Sequence, residues 1–218
     1  TSSKSSLIPK GVQAPTGEKA YDTRIPVTNW KTRFSRMNYC FLTLKRATQS
    51  FGDKAFDAAR AEMKQLMSRG VFTPVHSAPP SITPIHSSLI ITPKYNLDGE
   101  MSVIKGRLVA GGNEVDRSVY GPSSTSSPTV SGLTYSTLLS IASYHKSVMG
   151  TIDFTAAYIN AKLDEPHFMV IGKDATDALI AEAPEWKQFA RRNGSMLVKV
   201  TGALYGLPES GRQWYNLI

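Results

Sequence analysis

Cysteine is almost absent. Cys40 is the only one in 218 residues, so no internal disulfide can form, and a reducing, intracellular and cytoplasmic setting is the expectation. No run of eighteen apolar residues occurs, and the start, Thr1-Ser2-Ser3-Lys4-Ser5-Ser6, lacks the apolar stretch of a secretory signal, so no membrane passage is expected. There is no initiator Met, and Trp214-Tyr215-Asn216-Leu217-Ile218 reads as the middle of a helix; the expectation is a piece of a longer polypeptide. Internal repeats, a glycine-rich phosphate loop and a dinucleotide fingerprint are all missing. His76, His86, His145 and His167 stand at spacings that match no zinc pattern, and each reads as a surface or packed histidine. Ser210 has no partner histidine in a hydrolase arrangement, which sets aside a serine hydrolase. Asn193-Gly194-Ser195 fits a glycosylation sequon but reads as a turn.

What is present is a globular composition, 41% hydrophobic, with material for one ordinary domain and an extension. The net charge is +8 and sits at one end: residues 1–50 hold nine Lys or Arg against Glu18 and Asp22, leaving the remainder near neutrality. Residues 1–28, with Pro9, Pro15 and Pro26, read as an extended basic leader, and 29–218 as the folded part. Such a leader suits phosphate backbones, and Trp30, Phe34, Tyr39 and Phe41 could stack on bases; the plain alternative is a solvated tail.

Apolar spacing at Phe56, Ala59, Met63, Leu66 and Met67 predicts an amphipathic helix over 52–69, with Asp53 as N-cap, Gly70 as the stop, and Arg60, Glu62 and Lys64 on the surface. A Pro/Ser connector (77–88) leads to strands at 89–92 and 101–110, joined through Asn96-Leu97-Asp98-Gly99, a strong hairpin signal. After a polar loop at 118–128 come a helix at 134–147, a short apolar strand at 148–154 and a strand at 167–171. A mostly helical stretch at 176–192 breaks at Pro184, and a strand at 196–200 follows the Asn193-Gly194 turn. The mixed order argues for an α+β fold.

The residue with most chemical content is Asp153, a carboxylate delivered at a strand end with small residues after it. Mg²⁺ takes carboxylate oxygens while keeping waters and substrate phosphates. An Asp in that place is also an ordinary turn residue or helix N-cap.

Its neighbours are more specific. Thr151-Ile152-Asp153-Phe154-Thr155-Ala156-Ala157-Tyr158-Ile159-Asn160-Ala161 resembles a motif of copia-type (Pseudoviridae-like) retrotransposon reverse transcriptases. Three further blocks match in order: Asp98-Gly99-Glu100 with Lys105-Gly106-Arg107-Leu108-Val109-Ala110-Gly111-Gly112; Tyr120 with Ser127-Pro128-Thr129-Val130; and Val198 to Tyr215 around Leu204-Tyr205-Gly206-Leu207. The resemblance implies the fingers and first palm portion of a right-hand polymerase, incomplete because the chain stops before the Tyr-x-Asp-Asp-type turn that carries two further aspartates. It implies RNA-directed DNA polymerase chemistry, with an RNA template, a DNA primer, deoxynucleoside triphosphates and two Mg²⁺ ions in the complete enzyme. The remaining palm, thumb and RNase H segments of the same polyprotein would be its partners, and a virus-like particle its setting. The isolated chain is expected to be inactive.

By the same resemblance Asp153 is the first catalytic aspartate and a metal ligand, Phe154 lends a backbone carbonyl to a metal, and Tyr158 is the aromatic that excludes a 2′-hydroxyl. Lys105 and Arg107 grip the triphosphate, and Tyr205 and Gly206 pack near the nucleotide. Plainer readings stay open: a core aromatic for Tyr158, outward strand positions for Lys105 and Arg107, turn chemistry for Tyr205-Gly206. Departures from the family pattern are Gly111, Gly112, Pro208-Glu209 and Gly211. They are expected to loosen the hairpin and lower the positive charge along the nucleic-acid path. The stretch from Asp174 to Arg192 resembles a branch with a longer palm segment. The competing functions are a non-catalytic nucleic-acid-binding module and a decayed element copy.

Overall fold

Among the described residues the first helix starts where a threonine can cap it. Thr43 is extended, its hydroxyl accepts from Arg46 N–H, and α1 (Leu44–Phe51) follows. Gly52 turns the chain into α2 (Asp53–Ser68), so Gly52 is the N-cap, and Asp53 stands in the first turn, where its charge suits the helix dipole. Gly70 ends α2 with φ +59°. Gly70 N–H bonds to Met67 O at 2.9 Å and Val71 N–H to Leu66 O at 3.0 Å, the paired closure that a left-handed glycine permits. The computed structural model describes residues 41–96, 101–121 and 123–218, all within one compact unit. The leader, Trp30, Phe34, Tyr39, Cys40 and the Asp98-Gly99 turn lie outside the described residues.

Among the described residues five strands follow as β1 (Phe72–Pro74), β2 (Ile85–Tyr95), β3 (Met101–Ala110), β4 (Lys162–Ile171) and β5 (Met196–Gly202). They form one mixed sheet in the order β1-β5-β4-β2-β3, and the fold is α+β. The long β2–β3 hairpin runs from Ser87↔Ala110 to Tyr95↔Met101, while β2 meets β4 in parallel only at Ile85 and His86. Thus β2 starts at Ile85, inside the expected connector. Among the described residues the remaining helices are α3 (Gly132–Tyr144), α4 (Lys173–Glu182) and α5 (Ser210–Leu217), with 3-10 turns at Arg117–Val119, Tyr158–Asn160 and Pro184–Phe189.

Helix α2 packs against β3 and α4. Met63 and Leu66 from its apolar stripe join Ile91, Leu108, Met169, Val198 and Val200 in one core. Each such side chain contributes about 1.5–3 kcal/mol by burial, and Leu66→Ala would remove about 2–5 kcal/mol. Two expected surface residues of α2 are not plain surface. Glu62 is buried, and Arg60 pairs with Glu182 at 2.7 Å.

The expected strand over 148–154 does not form: these residues pair with no strand. An apolar run becomes a strand only where a ladder partner and a covering face exist, and here Val148 and Ile152 stand exposed. Helix α3 before it has no buried residue, although Leu133, Leu138 and Ile141 lie along it.

Candidate functional site

Alternation along β3 puts Lys105 and Arg107 on the same side of the strand, both exposed. From there the Arg107 guanidinium lies 5.5 Å from the centre of the Tyr205 ring. Such a contact holds a guanidinium in place while leaving N–H groups to meet an anion. Tyr205 in turn tilts against Tyr158, ring centroids 5.3 Å apart. Three residues from separate parts of the sequence therefore form one wall of cation and aromatic rings. Burial pushes the Tyr205 phenol up, against the opposing pull of Arg107, so it stays a neutral O–H at physiological pH.

The turn carrying Tyr205 is set by backbone contacts. Ala110 N–H donates to Tyr205 O at 2.8 Å. Gly206 has φ +96°, and a Cβ there would fall 2.1 Å from Ala110 O. At Gly112 a Cβ would fall 1.9 Å from Gly206 O. Gly112 therefore gives the close approach of two backbones, which corrects the expectation that it loosens the hairpin.

Asp153 is exposed and lies in no regular element. The following turn contains Ala156 at φ +54°, a left-handed conformation that costs a non-glycine residue about 1 kcal/mol. The Asn160 amide donates to Thr155 O and Ala156 O, each at 3.4 Å, and holds that turn. Phe154 meets Trp214 of α5 edge-on, centroids 5.1 Å apart. Among the described residues no group of three His, Cys, Asp or Glu side chains is placed to hold a metal ion. Asp153 alone does not make a Mg²⁺ site, so these residues do not fit the ion by themselves.

Two networks escaped sequence reasoning. Glu62 Oε1 accepts from Leu108 N–H at 3.1 Å. Because β3 lies at the edge of the sheet among the described residues, this carboxylate satisfies an outer amide that no described strand reaches. Burial pushes the Glu62 carboxyl up, with the Leu108 bond and the Arg107 charge pulling the other way.

The second network joins Tyr120, His167 and Glu209. Tyr120 O–H donates to Glu209 Oε2 at 2.7 Å, and His167 Nε2 lies 2.5 Å from Oε1. Burial alone would raise the Glu209 carboxyl; the bonds from His167 and Tyr120 outweigh it and hold the group below its usual range. Glu209 is thus buried and paired with Tyr120 and His167. A cavity of about 450 Å³ opens beside the three residues, lined also by Asp164, Arg212 and Gln213.

Two curated proteins are similar to this chain. The Retrovirus-related Pol polyprotein from transposon RE2 of Arabidopsis thaliana is 23% identical over 214 residues, covering 96% of this chain and 14% of that protein. The Retrovirus-related Pol polyprotein from transposon RE1 of the same plant is 25% identical over 172 residues, covering 78% of this chain and 11% of that protein. No family model matches, and no solved structure matches. Among the described residues no helix is long and apolar enough to cross a membrane. The chain spans about 14% and 11% of the lengths of these relatives, and the similarity supports a retrotransposon Pol origin for it.

Proposed function

We propose that the chain is the fingers and first palm portion of a copia-type RNA-directed DNA polymerase, with the Arg107–Tyr205–Tyr158 wall as its nucleotide-contacting surface. The observation that carries this reading is the convergence of those three residues, taken from three separate matching blocks, into one stack. Arg107 and Lys105 supply charge for a triphosphate, and the paired rings supply a face for sugar and base. In that reading Tyr158 limits room at the 2′ position, and Gly206 lets the Tyr205 turn sit flush on β3. Asp153 would hold Mg²⁺ together with carboxylates from outside the described residues, and the ion would supply charge stabilisation at the transferring phosphate. RNA template, DNA primer and deoxynucleoside triphosphates are the proposed partners.

The test is primer extension with Mg²⁺ on an RNA template, comparing this chain, a longer version from its parent reading frame, and that version with Asp153→Asn. Activity in the longer form alone, abolished by the substitution, supports the reading. One observation favours the alternative of a non-catalytic nucleic-acid-binding module: among the described residues Asp153 belongs to no group of three or more His, Cys, Asp or Glu side chains placed to hold a metal ion. Salt-dependent RNA binding with no extension by any form would establish that alternative instead.

A further inference from the structure

We propose that Glu209 is a positioning residue: clamped by Tyr120 and His167, it fixes the Tyr205–Gly206 turn against the end of β3. The role rests on the nucleotide-contacting reading for its significance, but the geometry stands without it. Glu209 is the N-cap residue of α5, and only Gly206, Leu207 and Pro208 separate it from Tyr205. Those residues form a stiff unit. Leu207 N–H reaches Leu204 O at 3.2 Å, Ser210 N–H reaches Leu207 O at 3.3 Å, and Ser210 Oγ–H donates to Leu204 O at 2.6 Å.

This unit is held at both ends by the same stretch of chain. At one end Ala110, the last residue of β3, bonds to Tyr205 O. At the other, Tyr120 from the loop after β3 bonds to Glu209, whose second oxygen is taken by His167 of β4. The Glu209 side chain is 8% exposed and His167 19%. A carboxylate so enclosed is tolerated only when its oxygens are bonded, and both are. The loop also closes over α5: a Cβ on Gly211 would stand 3.3 Å from the Ser127 side chain.

Chemistry separates this residue from its amide. Glu209→Gln keeps the shape, but its NH₂ can only donate, so the Tyr120 hydroxyl or His167 Nε2 must switch to acceptor, and the charge that strengthens both bonds is lost. The rearranged neutral clamp is the weaker one.

The test is residue-resolved amide hydrogen exchange on the full chain without nucleotide, for the wild type, Glu209→Gln and Tyr120→Phe, with aromatic-proton shifts of the Tyr158–Tyr205 pair alongside. Faster exchange by about tenfold or more at the Ala110 and Leu207 amides, with the β4–β5 ladder around Val170 and Leu197 unchanged, is expected in both variants. The ring-current shifts of Tyr158 and Tyr205 move with it. Unchanged exchange at Ala110 and Leu207, or acceleration spread equally over the ladder, would overturn the role and leave Glu209 an ordinary stabilising residue. If Glu209→Gln does not fold, Tyr120→Phe alone decides, since it removes one hydroxyl and no charge. No nucleotide is needed, so a failed nucleotide titration sinks the polymerase reading and leaves this result standing.

Discussion

The two parts of the proposed site are held in opposite ways. Arg107, Tyr205 and Tyr158 are mounted on β3, on a turn locked to β3, and on a 3-10 turn whose Ile159 is buried. Asp153 belongs to a stretch in which α3 and residues 148–154 bury nothing, with Leu133 80% and Ile152 82% exposed. The first part is preorganised by packing. The second has apolar side chains of the kind that build a core, facing water. The surface proposed for a nucleotide is therefore preorganised while the residue proposed as a metal ligand is unsupported, because rigidity comes from covered faces and filled ladders rather than from residue type.

The largest effect on the packed part is expected from Gly206→Ala. The positive φ and the 2.1 Å approach of a new Cβ to Ala110 O together should cost about 3 kcal/mol or more. Urea denaturation would read this as a lowered midpoint with an unchanged slope. A loss below about 1 kcal/mol would show that the turn shifts readily, and the contrast between the two parts would shrink.

Glu62 gives the next effect, with a pH signature. Glu62→Ala leaves the Leu108 N–H without a partner and should cost about 1–3 kcal/mol. Glu62→Gln keeps an acceptor and loses the charge. Because the folded carboxyl is raised, the folded state binds its proton more tightly than the unfolded chain does. The stability this group contributes is complete below the ordinary carboxylate range and is lost as pH rises through the folded value. The glutamine variant should therefore match or exceed wild type at neutral pH, and the difference should close in acid. Thermal melts across about pH 4 to about pH 8 measure it, and a difference that grows on acidification would contradict the assignment.

How far the sequence was legible follows the range of each interaction. The stripe of α2, its Gly70 stop, the span of β3 and the break at Pro184 are written in neighbouring residues, and they stand where periodicity and turn chemistry put them. The pairs that shape the site span long separations: Glu62 to Leu108 is 46 residues, His167 to Glu209 is 42, Tyr120 to Glu209 is 89. No local pattern announces a buried acid, so Glu62 read as surface and Glu209 as a loss of positive charge. The three-residue β1 is too short to show a period of two. The strand over 148–154 failed in the other direction: its composition suits a strand, but a strand is a property of pairs, and its pair is not among the described residues.

The smallest effect on stability, and the sharpest test of the contrast, is expected in the exposed part. Leu138→Gln with Ile141→Gln changes two exposed apolar residues of α3, so the melt of the packed core should move by no more than about 0.5 kcal/mol. Association should change far more. Exposed large apolar side chains carried on one helix favour dye binding and self-association, and the doubly substituted chain should stay monodisperse at concentrations where wild type aggregates. Asp153→Asn should likewise leave the melt unmoved, since an exposed carboxylate outside any element has no packing to lose. If either set of substitutions lowered the core transition by about 2 kcal/mol, the stretch would be packed in solution after all, and Asp153 would stand on support as firm as that of Tyr158 and Tyr205.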